Sequence, residues 1–149
     1  MKLEDEIKQS RFTSAQQKAM VNIIFTANWA TAKLRDIIKV HNITLQQYNV
    51  LRILRGKYPK AANPGEIKAV MLDKNPDLTR LCDRMSRQGL ISRSVDEVNR
   101  RKMNICITEK GLKVLEQTDP AFRDLELALV NLKDSEAERL SDLLDKLRD

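Results

Sequence analysis

The chain is short of the residues that carry out chemistry and of those that stop helices. His41 is its one histidine, and Cys82 and Cys106 are its two cysteines. No His and Cys cluster has zinc-ligand spacing, and no glycine-rich phosphate loop occurs. His41 falls at an expected helix C-terminus, where a charged imidazole suits the helix dipole. The sequence therefore predicts no catalytic residue, no metal site and no cofactor: not an enzyme. Two thiols make no disulfide framework, and free cysteines are the default in the cytoplasm. No run of about eighteen apolar residues occurs, so no membrane span is expected. The opening residues, MKLEDEIKQS, lack the apolar core of a secretory signal, and the expected location is the cytoplasm. With only four glycines, four prolines and 4% aromatics, little interrupts helices, and a mostly helical fold is expected.

Charge is plentiful but unevenly spread. The net charge is +6. Residues 1–73 carry 12 basic and 6 acidic groups, and residues 74–104 carry 8 and 4. Residues 116–149 reverse the balance, with 5 basic and 10 acidic groups. A basic front and an acidic rear suit an anionic partner approached from one side, although an ordinary solvated surface accounts for the same counts.

Residues 14–40 predict one long helix, with Met20, Ile23, Ile24, Ala27, Ala30, Leu34, Ile37 and Ile38 near helical spacing. A second apolar line runs through Val21, Phe25, Trp29 and Ala32, so the helix needs cover on two sides. A second copy of the chain or its own C-terminal helices could supply it. Thr44 and Gln47 have capping-box spacing, Ile43 and Tyr48 staple spacing, and the helix they start is expected to stop near Gly56. Asn63-Pro64-Gly65-Glu66 predicts a helix over 64–71 with Ile67, Val70 and Met71 as its apolar face. Asn75-Pro76 repeats that start, with Pro76 at the first helical position. Two helices joined by the tight turn Leu72-Asp73-Lys74 form a helix-turn-helix pattern.

After Gly89 the period changes. Leu90 to Val95 alternates imperfectly and Met103 to Ile107 cleanly, as strands do, around a polar tip from Asp96 to Arg101. A hairpin after a helix-turn-helix is the plan of a winged helix. Thr108 is placed to cap the next helix, Asp119-Pro120 marks a restart or kink, and Phe122, Leu125, Leu129 and Leu132 continue the spacing. Ser135 and Glu138 form a last capping box before Leu140, Leu143, Leu144 and Leu147.

On a helix over 76–88, Leu78, Leu81, Cys82 and Met85 share one face at i, i+3, i+4 and i+7. The other face holds Pro76, Arg80, Asp83 and Arg87, flanked by Thr79, Asp77 and Arg84. Such a face fits the DNA major groove, where Arg80 can fork onto guanine, Arg84 or Arg87 can reach guanine or phosphate, and Thr79 can meet a base edge. The helix N-terminus near Asn75 favours a phosphate. Asp77 and Asp83 would repel phosphate and are better placed to orient arginines or to accept from cytosine. Arg100 and Arg101 at the hairpin tip suit the minor groove. A helix with a merely solvated charged face remains the alternative.

These residues resemble the multiple-antibiotic-resistance regulator (MarR) family of winged-helix transcription factors. Thr79-Arg80-Leu81, Asp83-Arg84-Met85 and Gly89-Leu90-Ile91 look like the family's T-R-x-x-D-R-L-x-x-x-G-L-V run. Asn99-Arg100-Arg101, continuing to Ile107-Thr108-Glu109-Lys110-Gly111, is similar to its D-R-R…L-T-x-x-G wing signature. Thr44 to Leu54 resembles its L-T-x-x-Q-x-x-x-L helix. One departure is Asn99, where the family has an aspartate. The resemblance implies a single domain over 1–149: a winged helix-turn-helix DNA-binding lobe at 43–115, and dimerisation helices at 10–42 and 116–149. It implies a homodimeric regulator, usually a repressor, on a pseudo-palindromic operator in double-stranded DNA, with Arg101 as the wing arginine of the minor groove. It also implies release by a small aromatic or phenolic effector in a crevice that Phe25, Trp29 and Tyr48 could line, although plain core packing is the more ordinary reading of these three. A branch of the family senses peroxides through an N-terminal cysteine, which is lacking here. A winged-helix module that binds protein rather than DNA is the competing reading.

Overall fold

A computed structural model describes residues 1–74, 76–95, 103–128 and 131–149. Asn75, the hairpin tip with Asn99, Arg100 and Arg101, and Leu129 lie outside the described residues. The elements run α1 (Leu3–Ile7), α2 (Ala15–Ile38), a 3-10 turn (Lys39–His41), α3 (Leu45–Lys57), α4 (Pro64–Val70), α5 (Leu78–Arg87), β1 (Ile91–Val95), β2 (Met103–Ile107), α6 (Glu109–Ala128) and α7 (Asp134–Arg148). This is the expected mainly helical fold with a small β-hairpin wing. No helix of the described residues is long and apolar enough to cross a membrane.

Local chemistry explains most of the boundaries. Ser14 starts α2 by accepting from the Gln17 N–H at 3.0 Å. Thr44 and Gln47 form the reciprocal capping box of α3, and Asn63 and Glu66 that of α4. The α3 helix stops at Lys57, next to Gly56 as expected. On α4, Ile67 and Met71 are buried but Val70 is 58% exposed, so its inward face is narrower than the spacing suggests. The C-terminal boundaries differ more. Helix α6 is continuous through Pro120. Buried Thr118 turns its hydroxyl back onto the Val114 and Leu115 carbonyls at 3.0 Å, a pattern that bends a helix without ending it. Helix α7 starts at Asp134 rather than after Ser135, and Glu136 accepts from the Lys133 N–H at 2.8 Å.

The core lies inside the winged lobe. Val50, Leu51 and Leu54 of α3 meet Ile67 and Met71, the inner face of α5, and Ile91, Ile105 and Ile107 of the hairpin. The hairpin is antiparallel, with Ile91 opposite Ile107 and Arg93 opposite Ile105. Ala62 adds a one-residue third rung against Ile105, bonded in both directions at 2.9 Å. Helix α6 joins this core through Val114 and Leu115. Across the α3–α6 seam, Tyr48 stacks on Phe122 with ring centroids 4.5 Å apart. Beside it Arg55 grips Asp119 with two bonds of 2.7 and 3.2 Å. Helix α2 is different: Ile38 is its sole buried residue, while Met20 and Ile24 are half exposed. Helix α7 has no buried residue, and Leu140, Leu143 and Leu147 stand in the open.

Candidate nucleic-acid interface

Helix α5 is divided into two faces as its spacing predicts. Leu78, Leu81, Cys82 and Met85 are buried, and Thr79, Arg80, Arg84 and Arg87 are exposed. Its start is not where the Asn-Pro pair suggests. The N-cap is Asp77, whose carboxylate accepts from the Arg80 N–H at 3.1 Å. Pro76 therefore precedes the cap, half-buried, instead of taking the first helical position. An Asp three residues before a free N–H makes as good a cap as Asn, and the helix here begins at the later of the two.

Both acidic groups of this segment lie against arginines. The Asp77 carboxylate is 3.5 Å from Arg80 Nε on an open surface, where the pair is a weak tether. The Asp83 carboxylate accepts from the Arg93 guanidinium of β1 at 2.6 Å. The sequence marks no role for Arg93, because its partner Asp83 lies ten residues away on a different element.

The far end of α5 is clamped. Gly89, at φ +70, turns the chain out of the helix, a conformation open to glycine. The next carbonyls are then taken in order. Gln88 O accepts from Lys110 Nζ at 2.8 Å, Gly89 O from the Thr108 hydroxyl at 2.7 Å, and Leu90 O from the Thr108 N–H at 3.1 Å. Thr108 Oγ1 also accepts from the Gly111 N–H at 3.2 Å, capping α6. Gly111 is fixed by closeness: a Cβ there would stand 2.4 Å from Leu90 O and 2.7 Å from Ile107 Cγ1. The run Ile107-Thr108-Glu109-Lys110-Gly111 thus acts as a bracket that holds the end of α5.

The three aromatic residues considered for an effector crevice separate. Phe25 and Trp29 line a cleft of about 210 Å³ with Met1, Leu3, Asn22 and Thr26. Tyr48 is in the α3–α6 seam, and burial raises the pKa of its phenol. Cys82 is buried, and desolvation pushes its thiol up, away from the reactive thiolate. Cys106 is half-buried on β2, opposite Ser92. Among the described residues no group of three or more His, Cys, Asp or Glu could hold a metal.

The chain has relatives that match this geometry. The MarR family model matches residues 43–103. The chain is 32% identical to the homoprotocatechuate degradative operon repressor of Escherichia coli over 101 residues, covering 65% of this chain and 67% of the repressor. It is 32% identical to a MarR transcription factor from Planctomyces limnophilus, with a TM-score of 0.68 over 91% of this chain and 98% of the other. It also superposes on a mutant MarR from E. coli complexed with operator DNA, at 26% identity and TM-score 0.74, over 99% of both chains. A winged lobe with this bracket and these relatives assigns the chain plainly: it belongs to the MarR family of transcription regulators.

Proposed function

We propose that the protein is a homodimeric, sequence-specific DNA-binding repressor of the cytoplasm that occupies a pseudo-palindromic operator. The observation that carries this reading is the outer face of α5, where Thr79, Arg80, Arg84 and Arg87 stand exposed on a helix whose other face is fixed in the core. That face enters the major groove, with Arg80 and Thr79 reading base edges and Arg84 and Arg87 reaching guanine or phosphate. Asn75 and Pro76 bring the start of the helix to the backbone, and Asp77 orients Arg80. Arg100 and Arg101 enter the adjacent minor groove. The structural relative complexed with operator DNA supports the partner, and the E. coli relative named as a repressor supports the sense of regulation.

The open apolar residues of α2 and α7 support a second copy as their cover. Two α5 helices then reach successive major grooves about 34 Å apart. A small aromatic effector releases the DNA, and the Phe25–Trp29 cleft supports a place for one on α2. A gel shift on the DNA upstream of its own gene, over a range of salt, tests the reading. A discrete complex that outlasts competitor DNA is expected. Binding that competitor removes completely, or no binding at all, would favour the protein-interaction module instead.

A further inference from the structure

The bracket at the end of α5 has a second layer, made of side-chain amides. Gln47 is 4% exposed. Its oxygen accepts from the Thr44 N–H at 2.9 Å, and its Nε2 donates to Gln88 Oε1 at 2.9 Å. Gln88 then donates its own Nε2 to the Asn42 carbonyl at 3.2 Å. Asn42, in a left-handed conformation at φ 54, closes the turn that ends α2. The main-chain carbonyl of Gln88 is the one held by Lys110 of α6. A single residue thus touches the end of α2, the start of α3 and the start of α6.

An uncharged amide offers donors and an acceptor in one plane, and Gln88 uses both kinds on partners that cannot move freely. One partner is a backbone carbonyl. The other is half of a capping box. Rotation of α5 about its far end would break one bond or the other. Helix α2 is also the element whose apolar residues await a second copy, so it carries the axis of the dimer. We propose that Gln88 is a positioning residue for DNA reading: the relay Asn42–Gln88–Gln47 fixes α5 against α2 and so sets the separation and tilt of the two α5 helices in the dimer. This rests on the DNA-reading function proposed above. Gln88 needs no contact with DNA, since its side chain is taken up by Gln47 and Asn42 instead of joining Arg84 and Arg87 on the exposed face.

Two variants test it. Gln88→Met keeps length and loses both bonds. Gln88→Glu keeps the acceptor for Gln47 and loses the donor for Asn42. The probes are a duplex selected by the wild-type protein from a random library, the same duplex with one base pair inserted between its half-sites, and a single half-site. Wild-type protein prefers the native spacing. Gln88→Glu is expected to lose roughly fivefold of that preference, the worth of about one net hydrogen bond, and Gln88→Met, which loses both, roughly 25-fold. Half-site affinity should stay as in wild type, and only Gln88→Met, which strips the buried Gln47 amide of its acceptor, should melt at a lower temperature. If Gln88→Met fails to fold, Gln88→Glu alone decides. Undiminished spacing preference, or equal losses on all three duplexes, would overturn the positioning role while leaving DNA reading intact. Failure of the wild type to select any duplex would overturn the DNA reading itself, and this role with it.

Discussion

The carboxylate of Asp83 on α5 and the guanidinium of Arg93 on β1 are joined at 2.6 Å, which ties the helix to the first strand of the wing. The Arg93 and Asp83 side chains are 28% and 37% exposed, enough for solvent to screen the pair. Asp83→Ala should therefore cost only about 1 kcal/mol of stability, measured as a lowered urea midpoint. The Asp83→Ala/Arg93→Ala double variant should be little worse than either single one. Additive losses would mean that the two residues act separately.

Arg80→Ala should weaken binding to a selected operator by about 1–3 kcal/mol and relax specificity at the base it reads. Random DNA should be bound nearly as before. Equal losses on both would remove Arg80 from base reading and leave it a phosphate contact. Arg101→Ala, at the hairpin tip, should make the log–log dependence of affinity on salt shallower by about one unit.

Gly111 meets the Leu90 carbonyl so closely that one methyl group has no room. Gly111→Ala should destabilise the fold by about 1–3 kcal/mol, read as a lower melting temperature. Gly56→Ala has open space around it in the last turn of α3 and needs no positive φ, so by restricting the unfolded chain it should stabilise by about 0.4–1 kcal/mol. Opposite signs at two glycines are a demanding check on the packing around the bracket.

Two buried acids set the alkaline limit. Burial raises the Cys82 thiol above its ordinary 9.0 and the Tyr48 phenol above its ordinary 10.0. In each case the folded state holds its proton over a range where the unfolded chain has released it. That contribution is complete below the unfolded pKa and is lost as pH rises through the folded one. Stability should fall from about pH 9 upward, and Cys82→Ala with Tyr48→Phe should flatten the fall in a series of denaturant titrations.

The parts legible in the sequence are those set by neighbours along the chain. The inner face of α5 could be read because four apolar residues at helical spacing leave no other packing. The capping boxes at Thr44 and Asn63 could be read because both partners are three residues apart. Rival caps defeated the same reasoning. Asn75-Pro76 looks like Asn63-Pro64, yet the Asp77 carboxylate reaches the Arg80 N–H and starts the helix later. Glu136 likewise reaches Lys133 before Ser135 can act. Pro120 reads as a restart or kink; the helix does not restart there, and Arg55 and Tyr48 of α3 hold Asp119 and Phe122 on either side of it. Contacts such as Gln47 with Gln88, 41 residues apart, have no local signal at all.

The most consequential expectation concerns the apolar residues left outside. Ile24 on α2 is 55% exposed, and Leu143 on α7 is 51% exposed. Large apolar groups at helical spacing on two long helices are costly to leave in water, and a second copy offers a matching pair of faces. Sedimentation should give twice the mass of one chain. Ile24→Lys and Leu143→Lys each place a charge where a partner would have to desolvate it, so each should shift the equilibrium to monomer. The winged lobe, whose core contains neither residue, should keep its melting transition. The monomer still carries one intact α5 face, so its affinity for a single half-site should persist. Its affinity for the full operator should drop by roughly 10²–10⁴, the loss expected when two linked sites become independent. A wild-type protein that sediments as a monomer while binding the full operator tightly would separate DNA recognition from pairing, and α2 and α7 would then need a different cover.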